Sequence, residues 1–377
     1  MPNEISAGTN NINSGADIVR LQYLDALRGI AALLILAVHL TVIINLFNGY
    51  KFGLGTYGVQ LFYILSALTL LLSSSQRFAV ETRPVFNFFV RRFFRIAPLF
   101  YLVVIAALLF SQGVTYRLPN GQIYLDNIVA HFLFIFGFSK YWVNSLIGVE
   151  WSIACEVWFY LSLPLVFKYI KTKKQSLWLL LTSLAVSLLF QKLLSSFFNK
   201  GHDPLLSEWT SFFILSNYFY FALGIVLYFI LKDKKPCKPI CLYLGWAAFF
   251  GGLIFIIKFN FIHFSSLGIS LLIWLLVFLM SHDLPINFIF NNAITRLLGR
   301  VSYSIYLWHF LILGWLAKLV INPYLVFFSR NLMTRASAIL GSTLIVILAS
   351  YASYNLIEKP GIKLGKYIIR KMAMVSK

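Results

Sequence analysis

The chain has 377 residues and a formal net charge of +20; it is 60% hydrophobic and only 12% charged. Soluble domains run near a quarter charged, so a soluble globular protein is excluded and an all-α polytopic membrane bundle is expected. A basic excess this large can mark a nucleic-acid partner. Here its distribution assigns it to membrane topology and to anionic lipid headgroups, and no nucleic-acid partner is expected.

Residues 1–20 are rich in Asn, Ser, Gly and Ile and read as a polar, disordered arm. A transmembrane domain follows over 21–366, with a basic tail at 367–377. Ten apolar stretches fit spans of roughly 17–25 residues. They lie near 23–46, 54–75, 96–112, 147–167, 176–196, 209–231, 240–257, 264–281, 302–321 and 334–357. The segment 122–140 is apolar but broken by Asp126, His131 and Gly137. It reads as interfacial or re-entrant, with an eleventh span as the alternative.

Five arginines lie in 77–95, four lysines in 168–174, four in 232–238 and six basic residues from Lys359 to the end. In a ten-span arrangement these all fall on one side, which the positive-inside rule makes cytoplasmic together with both termini. An eleventh span would put the later lysine loops outside. Cys155, Cys237 and Cys241 have no further ligands at metal spacing, so no metal is expected. The first apolar stretch is too long for a cleavable signal.

Leu24–Leu40, LDALRGIAALLILAVHL, is the first stretch with chemistry. Asp25 and Arg28 are three apart and therefore neighbours on a helix. His39 returns to nearly the face of Arg28, about 16 Å further along the axis. Ionisable groups inside a membrane are costly and mark function by default. His39 reads as a base active near neutral pH, or as a buried histidine bonded to a neighbouring helix.

Gly58–Ala67, GVQLFYILSA, bears small residues suited to close helix packing. Next, Arg91, Arg92 and Arg95 precede Pro98, with Arg91 and Arg95 on one helix face. They read as an ordinary positive-inside loop or as a phosphate clamp, for which the guanidinium fork is suited. In EWSIACEVWFYLSLP, Ser152, Glu156 and Tyr160 are four apart and form a polar stripe beside Trp151. Glu156 lies within a span and needs a partner, structural or functional. In GRVSYSIYLWH, Ser302, Tyr306 and His309 share a face, with Tyr303 and Trp308 beside them. An interfacial aromatic belt accounts for Tyr and Trp but not for His309. No Walker loop, GxGxxG, HExxH or GxSxG occurs, which removes the common nucleotide-hydrolysing, zinc-peptidase and serine-hydrolase readings.

Taken in order, these stretches resemble the acyltransferase-3 family of integral membrane acyltransferases. LDALRGIAALLILAVHL is similar to its opening helix. GVQLFYILSALTL, RRFFRIAPLFY and VEWSIACEVWFYLSLPL resemble its next three elements. LGRVSYSIYLWH resembles its last motif, and YNLIEKP its closing segment. Ala67 and Ile153 stand where the family often has glycine and leucine.

The resemblance implies transfer of an acyl group, usually acetyl, from cytoplasmic acyl-CoA to a hydroxyl on an extracytoplasmic acceptor. Acceptors would be lipid-linked or surface glycans such as O-antigen, peptidoglycan or exopolysaccharide, at the bacterial inner membrane. It implies His39 as the catalytic histidine and Arg28 as its partner, with Arg28 paired to Asp25 on the donor side. Arg91, Arg92 and Arg95 would contact the coenzyme. Glu156 would belong to the acceptor or proton-handling part, and direct transfer and an acyl-His39 intermediate stay open. Trp151, Ser152, Ser302, Tyr303, Tyr306 and His309 would complete the site wall. Some family members carry a soluble SGNH hydrolase-like domain for which this chain has no room, so a second transfer step would call on a separate extracytoplasmic transferase. A multispan transporter or flippase is the competing reading; the lack of repeats and the one-sided arginine cluster count against it.

Overall fold

A computed structural model describes residues 15–43, 53–111, 122–198, 203–233, 237–258, 266–321 and 332–375. Among them the chain is predominantly helical, with no strand. Helix α1 spans Gly15–Ile43, α2 Gly58–Val80, α3 Pro84–Ser111 and α4 Leu125–Phe132. Then follow α5 (Trp151–Tyr169), α6 (Lys173–Phe198), α7 (Pro204–Phe212), α8 (Ile214–Lys232), α9 (Pro239–Lys258) and α10 (Ser266–Met280). The chain continues through α11 (Ala293–Arg300), α12 (Ser302–Leu316), α13 (Leu332–Ser353) and α14 (Lys359–Val375).

Eight of the described helical stretches are long and apolar enough to cross a bilayer. They fall on eight of the ten stretches expected from hydropathy. The other two hold α5 and α10; α10, with 15 described residues, reaches about 22 Å. The broken segment 122–140 forms only an eight-residue helix and a short 3₁₀ turn at Phe136–Phe138. A helix of that length covers about 12 Å, well short of the roughly 30 Å hydrocarbon core.

The helix limits differ from expectation at both ends. α1 already begins at Gly15, inside the segment read as a disordered arm, while residues 1–14 lie outside the described residues. At the other end, α13 runs through a π-helical turn at Tyr354–Glu358 directly into α14. Residues 367–375 of the expected basic tail are therefore helical.

α1 is central. It packs against α2, α11 and α12. Gly29 and Gly299 make the α1–α11 crossing close: a Cβ on Gly29 would sit 2.2 Å from the Thr295 carbonyl oxygen. Pro98 shapes a second contact. It has no N–H to bond the Phe94 carbonyl one turn back, and Gly361 of α14 lies against that same carbonyl. The YNLIEKP segment and the end of α13 are tied to α12 by side chains, since Ser304 Oγ donates to Glu358 at 3.0 Å and Trp308 Nε1 to Ser353 at 2.9 Å.

Candidate functional site

Inside the bundle lies a cavity of about 250 Å³ walled by α1, α2, α3, α5 and α12. α2 supplies its long wall through Val59, Phe62, Tyr63, Ser66, Thr69, Leu70, Ser73 and Arg77. Those positions recur every three or four residues, so they form one helix face. From Val59 to Arg77 the wall runs about 27 Å, close to a full membrane thickness.

One end of the cavity is cationic, with Arg28, Arg77, Arg92 and Arg95 in its lining. Arg28 donates to Thr69 Oγ1 at 2.7 Å and pairs with Asp25 at 3.3 Å, the neighbour relation that the spacing anticipates. Arg92 lies over the rings of Phe88 and Tyr160, at 5.9 Å from each centroid. Its Nε is buried and has no hydrogen-bond partner among the described residues. A buried guanidinium with an unspent N–H donor suits an anionic guest.

The α5 stripe faces this cavity as its spacing implies: Ser152, Glu156 and Tyr160 all line it. Glu156 Oε1 accepts from Ser66 Oγ at 2.7 Å and from Tyr160 OH at 2.6 Å. Ser152 Oγ donates to Tyr306 OH at 2.6 Å, and Tyr306 OH donates to the Val149 carbonyl at 2.5 Å. Tyr303 OH reaches the Ile96 carbonyl at 2.9 Å, fixing α12 to α3. Phe62 and Tyr306, with ring centroids 6.2 Å apart, line the cavity toward the Val59 end of the wall, away from Arg77.

Beyond that aromatic pair stand two histidines. His39 Nδ1 lies 3.1 Å from His309 Nε2 and 2.9 Å from the Ile35 carbonyl. The two rings are 4.9 Å apart, and Phe310 stands edge-on to His39. His39 does not line the cavity itself; it sits one helical turn past Ile35, which abuts Gly58 at the start of α2.

Several sequence expectations change in position. Arg91 leaves the cluster: it forms a two-pronged contact with Glu81 at 2.8 and 3.2 Å and does not line the cavity. Sharing a face with Arg95 is not enough, because Glu81 just before α3 captures the earlier arginine while Arg92, one position on, turns inward. Glu156 turns to Ser66 of α2, whereas His39 faces α12. Trp151 lies behind the wall, stacked on Phe212 at 4.5 Å, and Asp25 pairs with Arg28 as a half-exposed side chain outside the cavity lining. His309 lies two turns along α12 from Ser302, against His39.

Among the polar lining residues, Ser66, Thr69, Ser73 and Arg77 escape a reading of isolated motifs. Their signal was present as a hydroxyl stripe, Ser66, Thr69 and Ser73, running at helical spacing to Arg77. Glu150 was also passed over. Its buried carboxylate accepts from Leu146 N at 3.0 Å and Gly148 N at 2.6 Å, with His131 Nε2 at 3.3 Å. This closes the loop ahead of α5, where Gly148 (φ +94°) lies against the Phe310 ring.

A multi-pass helical membrane protein with an internal cationic cavity and a histidine pair past its far end is thus defined by geometry. Comparison with known proteins places it further. Residues 21–354 match the acyltransferase-3 family, described as an acyltransferase domain, and the chain belongs to that family. It is 25% identical over 374 residues to acyltransferase MdmB of Streptomyces mycarofaciens, covering 92% of this chain and 93% of that protein. It is 26% identical over 328 residues to peptidoglycan O-acetyltransferase OatA of Listeria monocytogenes, covering 76% of this chain and 48% of OatA. No solved structure matches the chain significantly.

Proposed function

We propose that this membrane acyltransferase moves an acetyl group from cytoplasmic acetyl-CoA to a hydroxyl of a cell-surface or lipid-linked glycan across the bacterial inner membrane. The observation that carries the reading is the cavity, with arginines at one end and the aromatic pair beneath His39 at the other. The positive-inside rule orients the arginine end to the cytoplasm. There Arg77, Arg92 and Arg95 suit the phosphates of a coenzyme A donor. The acyl-bearing arm then lies along α2, and the thioester reaches Phe62 and Tyr306. The acceptor comes from the opposite side, where His39 stands.

In the transfer step His39 takes the proton of the acceptor hydroxyl. The freed oxygen bonds to the thioester carbonyl carbon, the carbon–sulfur bond breaks, and the departing thiolate takes the proton back from His39. The products are the acetyl ester and free coenzyme A, with His39 returned to its starting form. A general base of this kind contributes about 10²–10⁴-fold in rate.

The test is CoA release from acetyl-CoA by the purified protein in nanodiscs, supplied with envelope glycans, comparing wild type with His39→Ala. Release by the wild type and a loss of about 10²-fold or more in the variant is the expected result. Full activity in His39→Ala sinks the assignment of the base. Calorimetry on the same samples tests the donor site: no binding of acetyl-CoA by wild type overturns the reading as a whole.

A further inference from the structure

The protons of the His39–His309 pair are fixed by the atoms that face them. His309 Nδ1 lies 2.6 Å from the Tyr306 carbonyl oxygen and 3.1 Å from that of Ile305. A carbonyl can only accept, so His309 Nδ1 carries a hydrogen. His309 is fully buried, and among the described residues neither ring of the pair forms an ion pair with a carboxylate. A charged ring there would be uncompensated, so His309 is neutral and its Nε2 offers a lone pair. That lone pair lies 3.1 Å from His39 Nδ1, which also faces the Ile35 carbonyl at 2.9 Å. Both neighbours of His39 Nδ1 are acceptors, so it too carries the hydrogen. His39 Nε2 is left bare, and it has no hydrogen-bond partner among the described residues.

We infer that His309 is a positioning residue that locks His39 in its Nδ1–H tautomer and so makes Nε2 the atom that takes the acceptor's proton. The role matches that of an orienting partner to a catalytic base, here filled by a neutral imidazole instead of a carboxylate. When His39 gains its second proton at Nε2, the Nδ1–H keeps both its acceptors, and no side chain needs to move. The three carbonyls come from the two helices' own backbones, at Ile35, Ile305 and Tyr306. The tautomer is thus set by helix geometry together with one side chain. The inference rests on the acyl-transfer reading for its consequence, but the tautomer itself does not.

Solid-state NMR on the full-length protein in nanodiscs, labelled with ¹⁵N-histidine, reads the tautomer directly. The six histidines are few enough to resolve, and the His39 signal is assigned by its loss in His39→Gln. The expected wild-type spectrum shows His39 protonated at Nδ1 and bare at Nε2. In His309→Ala the His39 signal becomes a mixture of tautomers, and kcat for CoA release falls about 10–100-fold, the usual cost of losing an orienting partner. KM for acetyl-CoA stays unchanged, because His309 does not line the cavity. His309→Gln, whose amide oxygen can take the place of Nε2 as acceptor, recovers the single tautomer and most of kcat.

A wild-type spectrum with the hydrogen on His39 Nε2 overturns the inference, and so does an unchanged kcat in His309→Ala. Failure of the transferase reading looks different. It leaves the Nδ1–H spectrum in place while the wild type neither binds acetyl-CoA nor releases CoA.

Discussion

Gly299 lies so close to Asp25 that a Cβ added there would fall 1.7 Å from the Asp25 carbonyl oxygen. The contact is backbone to backbone, so no side-chain rotation relieves it. With Gly29 on the other helix, it seats α1 directly on α11 and fixes the level at which Arg28 and His39 stand. Gly299→Ala is expected to destabilise the fold by about 1–3 kcal/mol, as overpacking does. Thermal unfolding in nanodiscs reads this, and an unchanged midpoint would show that the crossing is looser than described. Gly341, which has open space around its Cα, is the control: Gly341→Ala is expected to be neutral or slightly stabilising in its helix.

The arginines are expected to separate by function. Arg92→Ala and Arg95→Ala each remove a guanidinium from the cavity lining, whereas Arg91→Ala breaks only the contact with Glu81. A charge-assisted hydrogen bond is worth about 1.5–3 kcal/mol, or roughly 10–100-fold in affinity. The dissociation constant for acetyl-CoA, measured by calorimetry, should rise by that factor in the Arg92 and Arg95 variants and hold steady in Arg91→Ala. Equal weakening in all three would point to net charge at the membrane surface instead of a built site.

The bundle and the polar faces were legible because both rest on periodicity. Apolar length marks a span, and spacing by four places Ser152, Glu156 and Tyr160 on one stripe whichever helix they meet. What periodicity does not carry is the partner of a face. Glu156 and His39 both read as site residues, yet one turns to Ser66 and the other to His309, which is 270 positions away in the chain. The departure of Arg91 from the cluster depends on Glu81 lying just before α3, and that is settled by where α2 ends. Glu150 was unreadable for a different reason. Its partners are backbone N–H groups of an irregular loop, which have no sequence signature.

Asp203 caps α7 by accepting from Leu205 N at 3.0 Å and Leu206 N at 3.3 Å, and it pairs with Lys140 at 2.5 Å. Lys140, followed by these backbone bonds, holds the Asp203 carboxyl below its ordinary value; Asp203 holds the Lys140 ammonium above its own. A depressed carboxyl contributes stability above its ordinary value, and that contribution is lost as pH falls through the lowered one. The raised lysine contributes fully below its ordinary value and loses its share as pH rises through the higher one. The pair is therefore constant from mildly acidic to mildly alkaline pH. Asp203→Ala should cost about 1 kcal/mol, the usual value of an N-cap, and by the same amount across that window. Asp203→Asn should keep most of it. A cost in Asp203→Ala that vanishes near neutrality would contradict this assignment.

Glu150 is expected to matter for the shape of the site without touching any substrate. Its carboxylate holds Leu146 N, Gly148 N and His131 together in a fully buried position. The loop it closes presents the Val149 carbonyl to Tyr306 OH and lays Gly148 on Phe310, which in turn stands against His39. Glu150→Ala leaves two part-buried N–H groups and a buried histidine without their acceptor, at a cost of about 3–5 kcal/mol. Glu150→Gln keeps one carbonyl oxygen but turns an amide N–H₂ toward a backbone donor, so it should fall between wild type and Glu150→Ala. Hydrogen exchange over residues 144–150 should quicken in the same order. If exchange quickens and the midpoint drops while the His39 tautomer is preserved, the loop supports the fold alone. If the tautomer is lost as well, the loop holds the histidine pair in register through Phe310.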